Sequence, residues 1–484
     1  MNKNKNLKLK NIKINESLVA HLRFKKIKED YLITNDFGYF HFLKESQFIN
    51  LLEGSLNNEN PLYDSLYKEG FIKRDLSNMD NLIKRFSCRK ASLKKGPSLH
   101  IMITTLRCNY DCIYCQAGSI NESNKRYDMN KETAKKIVDR IFETNNEKIT
   151  ILFQGGEPMI NWKIIKFVAN YARKKEKISD KKINLAIVTN LSLMSEERLN
   201  FFVEKKIGIC TSLDGPEELH NSNRPYKDGN SYRKIVKWLK RYNEKRKVNK
   251  KLPPLNGLMT TTELSLNQPK EIVDQYFNLG FSGIHLRKLN YGGKAKPLRK
   301  KIGYSADQFM DFWEKGIERV FEINKDNLFY ERSLLLRLQK IFKKNDIGYL
   351  DLSSPCGAVL GQVAYNYDGS IYTCDEGRMV DDDTFKLGHI DNISYKEMIG
   401  SDLCQTMISA STLENQACDL CPYKPYCGVC PVQNYSYYGT LFPNIKETEW
   451  CKINTAIFDY IFKKIRKNED TEVFEKWLPG LKIT

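Results

Sequence analysis

Between Ser98 and Tyr291 short β-branched runs alternate with longer amphipathic stretches, and this alternation limits the possible folds more than any other feature of the chain. The runs are Leu99–Thr105, Ile149–Phe153, Ile183–Thr189, Ile207–Ser212, Asn256–Thr261 and Gly283–Arg287. Helical patterns separate them, among them Lys131–Thr144, Ile160–Lys174 and Tyr232–Asn243. Six such β–α units predict an α/β fold with a parallel sheet, either open or curled into part of a barrel. Ligands of such sheets sit at the carboxyl ends of the strands. The polar motifs of this chain fall at those ends.

A chain of 484 residues exceeds one ordinary core, so several domains are expected. Residues 1–97 contain two extended runs about a turn at Asn35–Gly38, which predicts a hairpin within a small α+β domain. Residues 98–303 hold the repeats, 304–352 form a mainly helical bridge, and 353–484 are turn-rich and carry most of the cysteines. The polar, basic start has no apolar stretch behind it, and no run is long enough to span a bilayer. A cytoplasmic protein is therefore expected. The net charge of +19 would attract an acidic peptide or a nucleic acid, yet Lys-rich solvated faces produce the same figure. No RNA-binding signature with interleaved aromatics is present, so nucleic acid is not an expected partner.

In a reducing compartment, spaced cysteines point to metal binding or catalysis more than to disulfides. Cys108-x3-Cys112-x2-Cys115 follows the first run directly. Three thiolates on one tight loop suit three irons of a [4Fe–4S] cube and leave the fourth open to an exogenous ligand. A zinc knuckle or plain packing are the alternatives, although zinc usually pairs two hooks, or a hook with histidines, and no His lies close. Cys88, Cys210 and Cys404 stand outside the spaced groups and read as small buried apolar residues.

The C-x3-C-x-aromatic-C pattern, with Tyr114 in the aromatic place, resembles the signature of radical S-adenosylmethionine (SAM) enzymes. That resemblance implies a partial (β/α)6 barrel and a [4Fe–4S] cluster that binds SAM. Further motifs repeat it in order. Gln154-Gly155-Gly156-Glu157-Pro158 follows the second run like the family's GGEP motif, which holds the SAM amino group. Its glycines would let backbone approach the ligand, and Glu157 would supply charge for the ammonium. Asn190 stands at the family's ribose-side contact after the third run. Ser212, Asp214 and Arg224 follow the fourth, and in similar maturases the Ser and Arg hold the SAM carboxylate.

A second cysteine group reads Cys356-x12-Gly369-x4-Cys374, then Cys418-x2-Cys421-x5-Cys427-x2-Cys430, then Cys451. It resembles the SPASM domain of peptide-modifying radical SAM enzymes. By that resemblance Cys356, Cys374 and Cys430 would bind one auxiliary [4Fe–4S] cluster, and Cys418, Cys421, Cys427 and Cys451 the other. The last pair is separated by two residues where the family usually has three. The first auxiliary cluster either keeps an open iron or is completed by Cys404 or another side chain. Two zinc ribbons are the alternative for these cysteines. Asp375 follows Cys374, and in sulfatase-maturating relatives the acid in this place takes a proton from the substrate.

The layout over residues 98–460 is similar to maturases of ribosomally made peptides and of sulfatases. Gln116, Ala117, the run Cys374–Met379 and the Asn35–Gly38 segment lean away from the sulfatase type and toward the maturases of His-Xaa-Ser peptide systems. The resemblance implies an oxidoreductase that abstracts hydrogen from a precursor peptide with a 5′-deoxyadenosyl radical. An electron donor such as flavodoxin or ferredoxin is implied, and for the His-Xaa-Ser type a second radical SAM protein. The amino-terminal region would then recognise a leader peptide by strand addition. An anaerobic sulfatase maturase and a non-catalytic iron–sulfur carrier are the competing readings.

Overall fold

The computed structural model describes residues 12–483 apart from 76, 95, 251 and 381. The basic start at residues 1–11 lies outside the described residues. Strands β1 (Arg23–Ile27), β2 (Asp30–Thr34) and β3 (Phe40–Lys44) form an antiparallel sheet of their own. The hairpin expected about Asn35–Gly38 is β2–β3, with Thr34 opposite Phe40 and Gly38 in the left-handed region at φ 77°. Tyr31, Ile33, Leu43, Phe48, Leu51 and Phe71 form its core. This unit is docked on the cysteine-rich part of the chain. Arg23 Nε donates to the Asp419 carbonyl at 2.6 Å, Thr34 Oγ1 to that of Pro422 at 2.8 Å, and Arg89 Nη2 to that of Pro425 at 2.8 Å.

The main sheet is built from β4 (Leu99–Thr105), β5 (Lys148–Gly155), β6 (Lys182–Thr189), β7 (Ile207–Ser212) and β8 (Asn256–Leu258), all parallel and in chain order. Alternate residues such as Ile183, Leu185 and Ile187 of β6 are buried, as the two-residue period of a strand requires. The helices between strands bury one face each. Lys131–Ile141, capped by Asn130, turns Ala134, Ile137, Val138 and Ile141 inward, and Trp162–Glu176 does the same with Ile164, Ile165, Val168 and Ala172. This is the expected partial barrel.

Two features differ from the sequence-based expectation. The sixth strand is paired over only Gly283–Ile284, against Tyr330–Glu331. Beyond it the backbone stays close to the sheet irregularly, with Thr261 N donating to the Arg287 carbonyl at 3.0 Å. The run carries a single β-branched residue, Ile284, which gives a longer ladder little support. At the other edge, β4 is covered by β9 (Gln362–Tyr365), parallel to it with Leu99 opposite Gln362. β10 (Ser370–Tyr372) and β11 (Lys386–His389) then extend the sheet in antiparallel fashion. The cysteine-rich part therefore shares a sheet with the barrel.

Candidate active site

The three-cysteine loop leaves β4 between two anchors. Arg107 grips Asp128 with both arms, Nε to Oδ1 at 2.8 Å and Nη2 to Oδ2 at 2.6 Å, while Thr105 Oγ1 donates to Oδ1 at 2.6 Å. On the far side Asp111 N donates to the Pro225 carbonyl at 2.9 Å and Ile113 N to that of Asn223 at 3.0 Å. The thiols of Cys108, Cys112 and Cys115 face one cavity of about 640 Å³, within the ~300–1,000 Å³ of small-ligand sites. Tyr110, Tyr114, Gln154, Gly155, Gly156, Asn190, Ser212 and Arg224 line the same cavity.

Gly155 and Gly156 make the crossing of two backbones possible. A Cβ on Gly155 would stand 2.0 Å from the Thr105 carbonyl oxygen, and one on Gly156 would stand 2.3 Å from that of Arg107. Instead, Gly156 N donates to the Thr105 carbonyl at 3.0 Å and Glu157 N to that of Arg107 at 2.7 Å. The close approach expected toward a ligand is thus also an approach to the cysteine loop.

Glu157 is not among the residues that line the cavity. Its carboxylate turns away from the cavity and is 1% exposed. It accepts from Met159 N at 3.0 Å, Thr189 Oγ1 at 2.8 Å and Asn190 N at 2.8 Å, so it ties the end of β5 to the end of β6. Three orphan donors outcompete a solvent-facing pose. Burial nevertheless pushes its carboxyl up to about 7, against the pull of those hydrogen bonds. Because the folded value lies above the ordinary 4.5, the folded chain holds the extra proton, and the stabilisation is lost as pH rises through about 7. Urea midpoints should therefore fall between about pH 4.5 and 7, and Glu157→Gln should flatten that slope. An identical slope in both proteins would contradict this assignment.

Asp214 is likewise a support, fully buried behind the cavity wall. It accepts from Arg224 Nε at 2.9 Å and Nη2 at 3.2 Å, from Tyr114 OH at 2.5 Å and from Thr260 N at 3.2 Å. Arg224 is thereby aimed along the Tyr114 ring, 5.2 Å from its centroid, with Nη1 3.9 Å from Cys112 Sγ. Asn190 is fixed through both ends of its amide, donating to Asn109 Oδ1 at 3.0 Å and accepting from Ser192 Oγ at 2.6 Å. Sequence reasoning missed Asn109 and Ser192, whose role exists only once β6 is set beside the loop.

The residues fit a thiolate-bound cluster, with the Arg224 guanidinium beside it to meet an anionic group. Burial pushes the Cys112 thiol up to about 12 with Arg224 opposing, and Cys108 rises by burial and the nearness of Cys112. Metal binding would relieve both by taking the thiolate form. The Tyr110 hydroxyl, in a side chain that lines the cavity, is buried without a partner among the described residues. Those residues bring no three His, Cys, Asp or Glu side chains around one point as a single ion would need.

The second cysteine group separates into two sets in space. Cys356, Cys374 and Cys430 share an apolar cluster with Phe385, Met407 and Val432. Cys418, Cys427 and Cys451 meet around Leu413, Val429 and Ile445, and Cys421 is close enough for its thiol to be raised by Cys451. Cys404 joins neither set; it is fully buried on the helix Asp402–Ser411. The acid whose charge acts most on the thiols of Cys374 and Cys430 is Glu376. Asp375 and Glu376 both line the main cavity. Asp375 is held by Arg378, with Nε and Nη2 each 3.2 Å from Oδ1, and Arg378 Nη1 reaches the Ala117 carbonyl at 3.2 Å. Arg378 thus links the two cysteine regions, a bridge the sequence gives no signal for.

Comparison with known proteins bears on the family and the fold. Residues 102–258 match the family model described as the radical SAM superfamily. The radical SAM cyclopropyl synthase TigE of Paramaledivibacter caminithermalis is 22% identical over 445 residues, covering 86% of this chain and 83% of that protein. A cysteine-type anaerobic sulfatase-maturating enzyme of Clostridium perfringens is 24% identical, covering 76% of this chain and 97% of its own length. Among solved structures, anSMEcpe with bound AdoMet superposes with a TM-score of 0.64 at 21% identity, over 78% of this chain and all of that one. Streptococcus suis SuiB bound to its precursor peptide SuiA superposes at 0.52 and 16% identity, over 88% of this chain and 97% of that one.

Proposed function

This chain carries a radical SAM domain, and we propose that it uses a [4Fe–4S] cluster and SAM to modify a ribosomally made peptide. A reduced cluster with SAM beside it would supply the radical chemistry that removes a hydrogen atom from the substrate. Cys108, Cys112 and Cys115 would hold that cluster. Gly155 and Gly156 would offer backbone to the SAM amino group, Asn190 would meet the ribose side, and Ser212 with Arg224 would take the carboxylate. Cys356, Cys374 and Cys430 would hold one auxiliary cluster, and Cys418, Cys421, Cys427 and Cys451 the other. Asp375, kept in place by Arg378, accepts a proton from the substrate.

One observation carries this reading: a single cavity runs from the three-cysteine loop to Asp375 and Glu376 beside the second cysteine group. A substrate lying in it would touch both redox regions. The three-stranded amino-terminal unit, whose β1 and β3 each have one side unpaired in the sheet, suits docking of a leader. A second reading, sulfatase maturation, draws on the relatives of that type, one of which this chain spans over 97% of its length. Among the described residues no helix is long and apolar enough to cross a membrane.

Anaerobic reconstitution tests the chemistry. Wild-type protein given SAM and dithionite should release 5′-deoxyadenosine, and Cys112→Ala should release none above background. Co-expression with a precursor encoded beside the gene should change the precursor's mass, and removing its leader should prevent the change. Iron-loaded protein that leaves SAM intact would instead support a cluster carrier.

A further inference from the structure

Part of the cavity wall is basic, in a lining that also holds Asp351, Asp375 and Glu376. Arg287, Lys288 and Arg332 line it around His285. Lys288 is engaged, its Nζ 3.3 Å from Gln433 Oε1 and 4.2 Å from the Trp450 ring centroid. The guanidiniums of Arg287 and Arg332 have no hydrogen-bond or ion-pair partner among the described residues. Elsewhere near the site this chain pairs its arginines with acids: Arg107 with Asp128, Arg224 with Asp214, Arg378 with Asp375.

Both unpaired arginines stand on fixed backbone. Glu331, fully buried, accepts from Leu286 N at 3.1 Å and from Leu334 N at 2.7 Å. One carboxylate therefore ties the residue before Arg287 to the first turn of the helix that Arg332 opens, Arg332–Phe342. Burial and the charges of Arg287, Arg332 and Arg337 hold His285 well below its usual value, so the imidazole stays neutral. Arg337 is spent on Ser333 and Asn454. Glu376 feels the field of Arg287, but no ion pair forms between them. Two like charges facing one cavity repel, and an anion entering it would relieve that repulsion.

We propose that Arg287 and Arg332 bind a carboxylate of the substrate and thereby set which residue of the peptide faces the radical. A guanidinium presents a planar fork that matches a carboxylate. The carboxylate belongs to an Asp or Glu side chain or to the peptide's carboxyl terminus. This inference rests on the peptide reading above.

Selection from a randomised hexapeptide library tests it, with reconstituted enzyme under saturating SAM. One library is amidated at its carboxyl end and the other is free. Acidic residues should be enriched at one position of the amidated library, or the free library retained over the amidated one, by about tenfold. The preference should vanish in Arg287→Gln and in Arg332→Gln and partly return in Arg332→Lys, a variant that keeps the charge at an exposed position. Acidic enrichment that survives both Gln substitutions would belong to the basic surface as a whole and would overturn the proposal. Bound peptides without acidic preference would overturn it while leaving the peptide reading intact. Retention of no peptide by the wild type would overturn both. Weakened SAM affinity in Arg287→Gln with unchanged peptide selection would assign the arginine to the cofactor instead.

Discussion

Gly155→Ala should leave a chain that loads its auxiliary iron but loses about one cluster's worth of it, ~4 Fe, at the first site. Gly155 has φ 145°, in the region side chains avoid, and its new methyl would lie 2.0 Å from the Thr105 carbonyl oxygen. A backbone atom cannot swing aside as the end of a side chain can, so β4 and the loop carrying Cys108 must shift. Overpacking of this kind costs about 1–3 kcal/mol, and the left-handed backbone adds ~1–2 kcal/mol. Iron stoichiometry and the thermal midpoint of anaerobically reconstituted protein would report both effects. Gly400→Ala, with nothing within 4 Å of its added methyl, serves as the control and should change neither. Full iron in Gly155→Ala would mean that the crossing is more tolerant than its geometry implies.

Asp214→Ala should cost about 3–5 kcal/mol of stability and weaken SAM binding at least tenfold. Removal of the carboxylate strands the Arg224 guanidinium in a buried place and frees Tyr114 OH and Thr260 N. Arg224 would then lose the two contacts that aim it at the cavity. Asp214→Asn keeps the shape but sets an amide N–H against a guanidinium, so its loss should be intermediate. Equilibrium binding of SAM and urea unfolding of the three proteins would rank them. If Asp214→Ala binds SAM as the wild type does, Asp214 is not the support described here.

Local pattern was legible in the sequence, and long-range geometry was not. The strand runs from Leu99 to Ser212 and the Cys108–Cys115 spacing survive in three dimensions because each depends on near neighbours. Cys356, Cys374 and Cys430, far apart in the chain, belong to one apolar cluster. Glu157 and Asp214 show what residue type alone leaves open. A carboxylate in a motif suggests a ligand contact, but its direction is decided by which donors lack partners once strands are adjacent. Thr189, Asn190 and Met159 claim one acid; Arg224, Tyr114 and Thr260 claim the other. Arg287 and Arg332 lay in segments with no motif, and only the cavity brings them together.

The pairing of Gln362–Tyr365 with Leu99–Met102 bears on how the protein is made. The first barrel strand leaves the ribosome long before its outer neighbour is synthesised, so its apolar edge waits uncovered and open to pairing with another chain. A fragment ending ahead of Gln362 would keep that edge bare for good. The cysteine-rich end of the chain is thus a shield against aggregation for the barrel's first strand.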